Sequence, residues 1–223
     1  FGLVPAALIG VDVGAVLARA ARMSEECAPT TAENHHPGLL LGAALGELAL
    51  TKRDRVTFLC SPSLSALPSW IEQLIAESTG KDNKGIVPVA NENLTAPENY
   101  GGDRFFVYLR FDGDENYSLD RQVAALEANG HPVARLDLQD KSDLGQEFFR
   151  WEFAVAAAGA ALGIHPFNQP DVQLAKDLAK KAMSEPAGKG TAKAKDTVSV
   201  ADQEALRKAA ESWLAKKKAR DYV

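Results

Sequence analysis

The chain has 223 residues, of which 46% are apolar and 25% are charged, and its net charge is −5. This composition is typical of a globular protein and excludes a disordered, collagen-like or disulfide-stapled chain. The longest uncharged apolar run, residues 153–164, is too short to span a bilayer, and the start shows no basic segment followed by an apolar one. The two cysteines lie far apart, which favours a reducing, cytoplasmic setting without a membrane.

Charge is distributed unevenly along the chain. Residues 1–175 hold 13 basic and 23 acidic residues, whereas residues 176–223 hold 12 basic and 7 acidic residues. The acidic body argues against nucleic acid as a partner. The basic end could contact an acidic surface, but the pattern favours a solvated helix face.

The predicted elements alternate along the chain. Apolar patterning predicts helices over 14–26, 39–50 and 64–78, with a strand over 55–60 and a short strand over 85–90. Ser61 and Ser63 are expected to cap the helix that follows them.

The second half continues the alternation. Strands are predicted over 105–111 and 133–138, with helices over 118–128, capped by Ser118, and 144–162. Gly159, inside the helix over 144–162, and Gly163, directly after it, are expected to allow close packing against a neighbouring element. Together these elements predict a three-layer α/β fold with a mostly parallel sheet and helices on both faces.

The composition changes near the end of the chain. We predict a domain over 1–183, a flexible linker over 184–200 rich in Ala, Gly, Lys and Thr, and an amphipathic helix over 201–223. The last helix is interpreted as the start of an interrupted C-terminal extension. The abrupt apolar start suggests a piece of a longer polypeptide.

Few residue patterns indicate chemistry on their own. His35 and His36 have no spaced partner that would complete a metal site, so no metal is expected. Cys60 is interpreted as a buried thiol. Ser61 and Ser63 can present hydroxyls and N–H groups to an anion at a helix start, but they serve equally well as caps.

Two helix faces carry more information. Gln73 and Glu77 are four residues apart near a helix end, where the macrodipole opposes a carboxylate and suits it to proton transfer. Gln169 and Lys176 are seven residues apart, two turns on one side of a helix entered at Pro170. An amide and an ammonium on the same side of a helix can both face a polyhydroxylated ligand. A surface role explains each pair as well.

Four segments carry a resemblance to a known family. They read FGLVPAALIGVD (1–12), SPSLS (61–65), EQLIAESTGK (72–81) and GIHPFNQPDV (163–172). They resemble glucose-6-phosphate isomerases, in particular the isomerase half of bifunctional transaldolase/phosphoglucose isomerases. The resemblance covers residues 1–183 and implies a flavodoxin-like sugar-isomerase (SIS) domain, the second of two in the family.

The resemblance also implies an activity and its residues. Glucose 6-phosphate and fructose 6-phosphate, intermediates of glycolysis and gluconeogenesis, are interconverted through a cis-enediol without a cofactor. Glu77 matches the base that moves the proton between C1 and C2, and Lys176 matches the lysine that assists ring opening. Gln73 and Gln169 match substrate-binding glutamines, and Ser61 and Ser63 are taken as substrate-binding. We expect Glu77 to line a cleft near Lys176.

Some family features have no counterpart. By the resemblance, the family's Gly-Gly-Arg-x-Ser motif is expected just before residue 1, so its arginine is missing here, and the family's phosphate-binding loop is expected in the first SIS domain. His131 lies between Glu77 and Lys176, but its surroundings do not match the ring-opening histidine. We therefore expect an incomplete site, little activity in the isolated chain, and as partners a phosphosugar, the missing SIS domain, a possible transaldolase domain of the pentose phosphate pathway and a second copy in a homodimer.

Two other functions remain open at this point. A non-catalytic SIS-type module would bind a sugar phosphate without needing a base. A structural or interaction domain would use the basic terminal helix to dock a partner subunit.

Overall fold

The computed structural model describes residues 2–184 and 203–216. By its internal contacts the chain divides into two compact units, residues 1–169 and residues 170–223. The predicted linker lies outside the described residues except for Ser184, and the predicted domain boundary after residue 183 stays a prediction. Among the described residues no helix is long and apolar enough to cross a membrane.

The first unit is built on a parallel sheet of four strands. They are β1 (Arg55–Cys60), β2 (Val87–Val89), β3 (Arg104–Phe111) and β4 (Val133–Leu138), in the order β2-β1-β3-β4. All three pairings are parallel, and Arg55 pairs with both Val87 and Arg104. All four predicted strands are confirmed. β2 is shorter than predicted and contains Pro88, which suits an edge position because proline has no N–H.

Six helices accompany this sheet in the part of the chain that the structure describes up to Gln169. They are α1 (Leu3–Leu8), α2 (Val13–Glu26), α3 (Pro37–Leu50), α4 (Leu67–Thr79), α5 (Tyr117–Ala128) and α6 (Leu144–Leu162). The sequence did not predict α1. The second unit contributes α7 (Pro170–Ser184) and α8 (Gln203–Leu214), the latter within the predicted terminal helix.

Helices cover both faces of the sheet. Because side chains alternate along a strand, β3 sends Phe105, Val107 and Leu109 into a core with α3, α4 and α6. Phe106 and Tyr108 point the other way and pack with Val123 of α5. The predicted three-layer α/β class with helices on both faces is thereby confirmed.

Three local predictions were wrong. Residues Pro62–Leu64 form a 3-10 turn, and α4 begins only at Leu67, with Ala66 rather than a serine as its N-cap. The N-cap of α5 is Asn116, without a side-chain cap, instead of Ser118. Gly163 ends α6 in the left-handed conformation, with φ 64°, instead of lying at a helix contact.

Because the strands are parallel, all their carboxyl ends lie along one side of the sheet, the carboxyl edge, and all their amino ends lie along the opposite side, the amino edge. The order of the strands matches the first four positions of the flavodoxin-like order 2-1-3-4-5, in which the strand order reverses between β1 and β3. Each helix that follows a strand starts at the carboxyl edge and returns to the amino edge. Residues at the two ends of one helix are therefore presented at opposite edges.

Candidate active site

Gln73 and Glu77 lie on α4 and face solvent together. The Gln73 side-chain amide donates a hydrogen bond of 3.0 Å to Glu77 Oε1, as the spacing of four residues predicts. Both side chains are exposed in this chain, so the expected cleft does not enclose Glu77 within residues 2–169. The geometry gives an oriented and accessible carboxylate in the last turn of a helix.

Ser61 and Ser63 lie at the carboxyl ends of β1 and β3. Ser61 is fully buried, its hydroxyl donates to Asn116 Oδ1 at 2.6 Å, and it accepts from the Phe111 N–H at 2.8 Å. Ser63 donates through both its N–H and its hydroxyl to Asp114, each at 2.7 Å. The hydrogen bond from the Ser63 N–H, followed by the one from its hydroxyl, lowers the pKa of Asp114.

The serines and the Gln73–Glu77 pair therefore lie at different edges of the sheet. The helix α4 has 13 residues, about 20 Å at 1.5 Å per residue, and it carries the chain away from Ser63. Gly80, which follows α4, lines a cavity of about 500 Å³ together with Asp54 and Val87 at the amino ends of β1 and β2. The structure does not bring Ser61 and Ser63 together with Glu77, and their role in binding substrate stays a prediction.

Lys81 joins two of the segments that carried the resemblance. Its side chain is 6% exposed, and Nζ donates to the backbone carbonyls of His165 at 3.0 Å, Pro166 at 2.8 Å and Asn168 at 2.5 Å. An ammonium group has three N–H donors, so the three carbonyls account for all of them. The loop after α6 is thereby fixed to the chain just beyond the end of α4.

One further contact holds this loop, and a second one lies at the end of α6, before the loop begins. A Cβ atom on Gly159 would lie 2.9 Å from Pro166 Cγ, so only glycine lets the loop fold back this closely on α6. Lys84 Nζ donates to the Leu162 carbonyl at 2.8 Å, at the end of α6. Gln169 follows this loop directly and is exposed.

Lys176 belongs to the second compact unit. It lies on α7, which begins at Pro170 as predicted, and its side chain is exposed. The hypothesis that Glu77 and Lys176 share one cleft stays a prediction.

Two of the remaining candidate groups, His36 and His131, have structural partners. His36 Nδ1 accepts the Leu39 N–H at 3.1 Å and caps α3, and His131 is buried with Nε2 2.9 Å from the Pro97 carbonyl oxygen. Burial raises the pKa of the Cys60 thiol, which is half-buried. Among the described residues no cluster of His, Cys, Asp and Glu suits a metal ion.

Sequence reasoning missed two charged residues that the fold uses. Lys81 was named only as the end of a motif, because backbone carbonyl acceptors leave no mark in a sequence. Glu147 is fully buried on α6, with Arg150 Nη2 3.3 Å from its Oε1. Burial raises the pKa of Glu147, while the Arg150 charge opposes that rise.

Comparison with known proteins gives a consistent set of relatives. The chain is 30% identical to the glucose-6-phosphate isomerase of Rubrobacter xylanophilus, over 83% of the chain and 51% of that protein. It is also 30% identical to the glucose-6-phosphate isomerase of Lactobacillus helveticus, over 77% of the chain and 47% of that protein. The chain spans about half the length of the curated relatives it matches. No protein-family profile matches it.

Solved structures share the fold. A hypothetical protein from Thermus thermophilus superposes with a TM-score of 0.65 at 22% identity, covering 82% of this chain and 53% of that one. A glucose-6-phosphate isomerase from Chlamydia trachomatis superposes with a TM-score of 0.56 at 18% identity, covering 76% and 42%. The chain is thus similar in sequence to glucose-6-phosphate isomerases over most of its length.

Proposed function

We propose that this chain is the glutamate-bearing half of a glucose-6-phosphate isomerase, which interconverts glucose 6-phosphate and fructose 6-phosphate. Its similarity to isomerases from several organisms supports an isomerase function. The observation that carries the proposal is the Lys81 contact. It holds the loop that leads to Gln169 beside the end of the helix that carries Gln73 and Glu77.

Proton transfer is assigned to Glu77. A carboxylate removes the proton from C2 of the open-chain aldose and returns it to C1, and the enediolate formed between these steps needs donors or cations nearby. The hydrogen bond from Gln73 occupies one carboxylate oxygen and orients the group. Because the other oxygen has no hydrogen bond within the described residues, it is the one we assign to the substrate.

Substrate binding is assigned to Gln169, which follows the loop that Lys81 holds, and ring opening is assigned to Lys176. Gln169 supplies an exposed amide, with donors and an acceptor for sugar hydroxyls. Lys176, on the helix that follows, is proposed to assist ring opening and to place a positive charge near the substrate.

The proposal includes a partner. The chain spans about half the length of its relatives, and the exposed Glu77 would need a second protein surface to exclude water from the reaction. The N-terminal segment also exposes apolar side chains: Leu8 and Ile9 are each 82% exposed and Val4 is 73% exposed. We propose that the SIS domain predicted to precede this one covers these side chains.

The proposal extends to the parent polypeptide and to its assembly. The resemblance to bifunctional proteins leads us to propose a parent polypeptide with a transaldolase domain, acting in the cytoplasm. A homodimer is proposed from the resemblance alone.

Replacing Glu77 by Gln tests the proposed function. In the native polypeptide that carries this sequence, turnover of fructose 6-phosphate should fall by about 10³-fold or more, while binding weakens only modestly. Glu72→Gln on the same helix is the matched control and should leave turnover within twofold. Retention of both turnover and binding by Glu77→Gln would favour a sugar-phosphate-binding module without catalysis.

A further inference from the structure

We propose that Lys81 is a positioning residue of this site, which sets Gln169 relative to Glu77 without touching the substrate. The inference rests on the proposed function. It starts from the burial of the Lys81 ammonium and from its three carbonyl partners, which belong to one short loop.

The saturation of the ammonium decides what Lys81 can do. Its three donors are directed at carbonyls of residues 165, 166 and 168, so none remains for a sugar hydroxyl or a phosphate. A lysine of this kind cannot bind substrate unless the loop first leaves it. Its influence on the reaction therefore passes through the backbone that it holds.

That backbone is short on both sides of the contact. Glu77 precedes Lys81 by four residues, and Gln169 directly follows Asn168, whose carbonyl forms the shortest of the three hydrogen bonds at 2.5 Å. The packing of Pro166 on Gly159 limits the movement of the same loop from its other side. Lys81 thus fixes the backbone just before Gln169 against the end of α4, the helix that carries Glu77.

Electrostatics makes this arrangement difficult to replace. Backbone carbonyl oxygens carry partial negative charge, and a buried cation interacts with them more strongly than it would in water. Substitution by an apolar side chain of similar length would leave three carbonyls without this donor, and the loop would be released to find water.

Lys81→Met, compared with Lys84→Met, tests the role. Lys84 donates to the Leu162 carbonyl at the end of α6 and not to the loop itself, so it is a matched control for charge and length. In the native polypeptide Lys81→Met should lower kcat/KM by roughly 10–100-fold, the loss expected from misplacing a binding group by about 1 Å. Lys84→Met should stay within twofold of the parent.

A double-mutant cycle separates positioning from general destabilisation. If Lys81 acts through Gln169, Lys81→Met should cost less than about threefold when Gln169 is already Ala. Full additivity of the two losses overturns the inference, and so does a Lys81→Met enzyme as active as Lys84→Met. If Lys81→Met does not fold, Lys81→Gln, which keeps two N–H donors, takes its place in the cycle.

Failure of the proposed function would be recognised separately. If Glu77→Gln keeps turnover, the isomerase assignment fails and the role of Lys81 is decided by fructose 6-phosphate binding alone. Loss of the ligand-induced NMR shift of the Gln169 side-chain amide in Lys81→Met but not in Lys84→Met supports positioning. An unchanged shift in Lys81→Met overturns it.

Discussion

The Ser61 hydroxyl donates a 2.6 Å hydrogen bond to Asn116 Oδ1 and ties the end of β1 to the segment beyond β3. The same hydroxyl accepts the Phe111 N–H, and Asn116 in turn donates to the Phe111 carbonyl at 2.7 Å. These bonds join the ends of β1 and β3 where the strand order reverses. In such sheets this position is the usual place for a ligand crevice.

Ser61→Ala should therefore lower stability. It leaves a buried N–H and a buried amide oxygen without a partner, which costs about 1–3 kcal/mol in the free energy of unfolding. Ser63→Ala removes one of two bonds to Asp114 in an exposed position and should cost less than about 1 kcal/mol. Urea unfolding measures both, and equal losses would contradict the importance of burial at Ser61.

Glu147 makes stability depend on pH. Because burial raises its pKa in the folded state, its contribution is most favourable below the ordinary carboxyl range and is lost as pH rises toward the folded value. Because Gln cannot ionise, Glu147→Gln should lose less stability than the parent as pH rises from 5 to 8. Over that range the difference in the free energy of unfolding should shift in favour of Glu147→Gln by about 1 kcal/mol.

Urea unfolding of the 223-residue chain at the two pH values measures this effect. Glu152→Gln is the control, because Glu152 is exposed on the same helix. A Glu147→Gln chain that gains no stability between pH 5 and pH 8, relative to the parent, would show that the Arg150 charge offsets the burial completely.

Gly159→Ala should disturb the loop that Lys81 holds. A Cβ atom at 2.9 Å from Pro166 Cγ forces the proline and its neighbours to move, and overpacking of this kind costs about 1–3 kcal/mol. The gain of about 1 kcal/mol in helix propensity offsets part of that cost. We expect a net loss of stability and faster hydrogen exchange of the loop amides. Gly102→Ala is the control, since nothing lies within 4 Å of its Cβ position, and loop amides that exchange alike in both variants would refute this account.

The sheet could be predicted from the sequence because its strands are nearly continuous apolar runs, such as residues 105–111, which parallel strands buried on both faces require. The helix α1 could not, because it buries no residue and its apolar side chains have no polar counterpart to define a face. The start of α4 was placed too early because Pro62 opens a separate 3-10 turn.

The candidate site was predictable only in part. A spacing of four residues placed Gln73 and Glu77 on one face, and their hydrogen bond confirms that placement. The contact between Lys81 and the loop at 163–169 depends on tertiary folding and on backbone acceptors, which no side-chain pattern encodes. Open parallel sheets usually bind ligands at the carboxyl ends of their strands, whereas the Glu77 end of α4 lies near the amino ends of β1 and β2.

The most direct test of the account is whether one ligand contacts both segments. Fructose 6-phosphate is titrated into the native polypeptide, and the side-chain amide signals of Gln73 and Gln169, assigned with Gln73→Ala and Gln169→Ala, are followed by NMR. Both signals should shift with the same dissociation constant, and inorganic phosphate alone should not reproduce the shifts. If only one amide responds, or if the two respond at different ligand concentrations, the two segments do not form one sugar site.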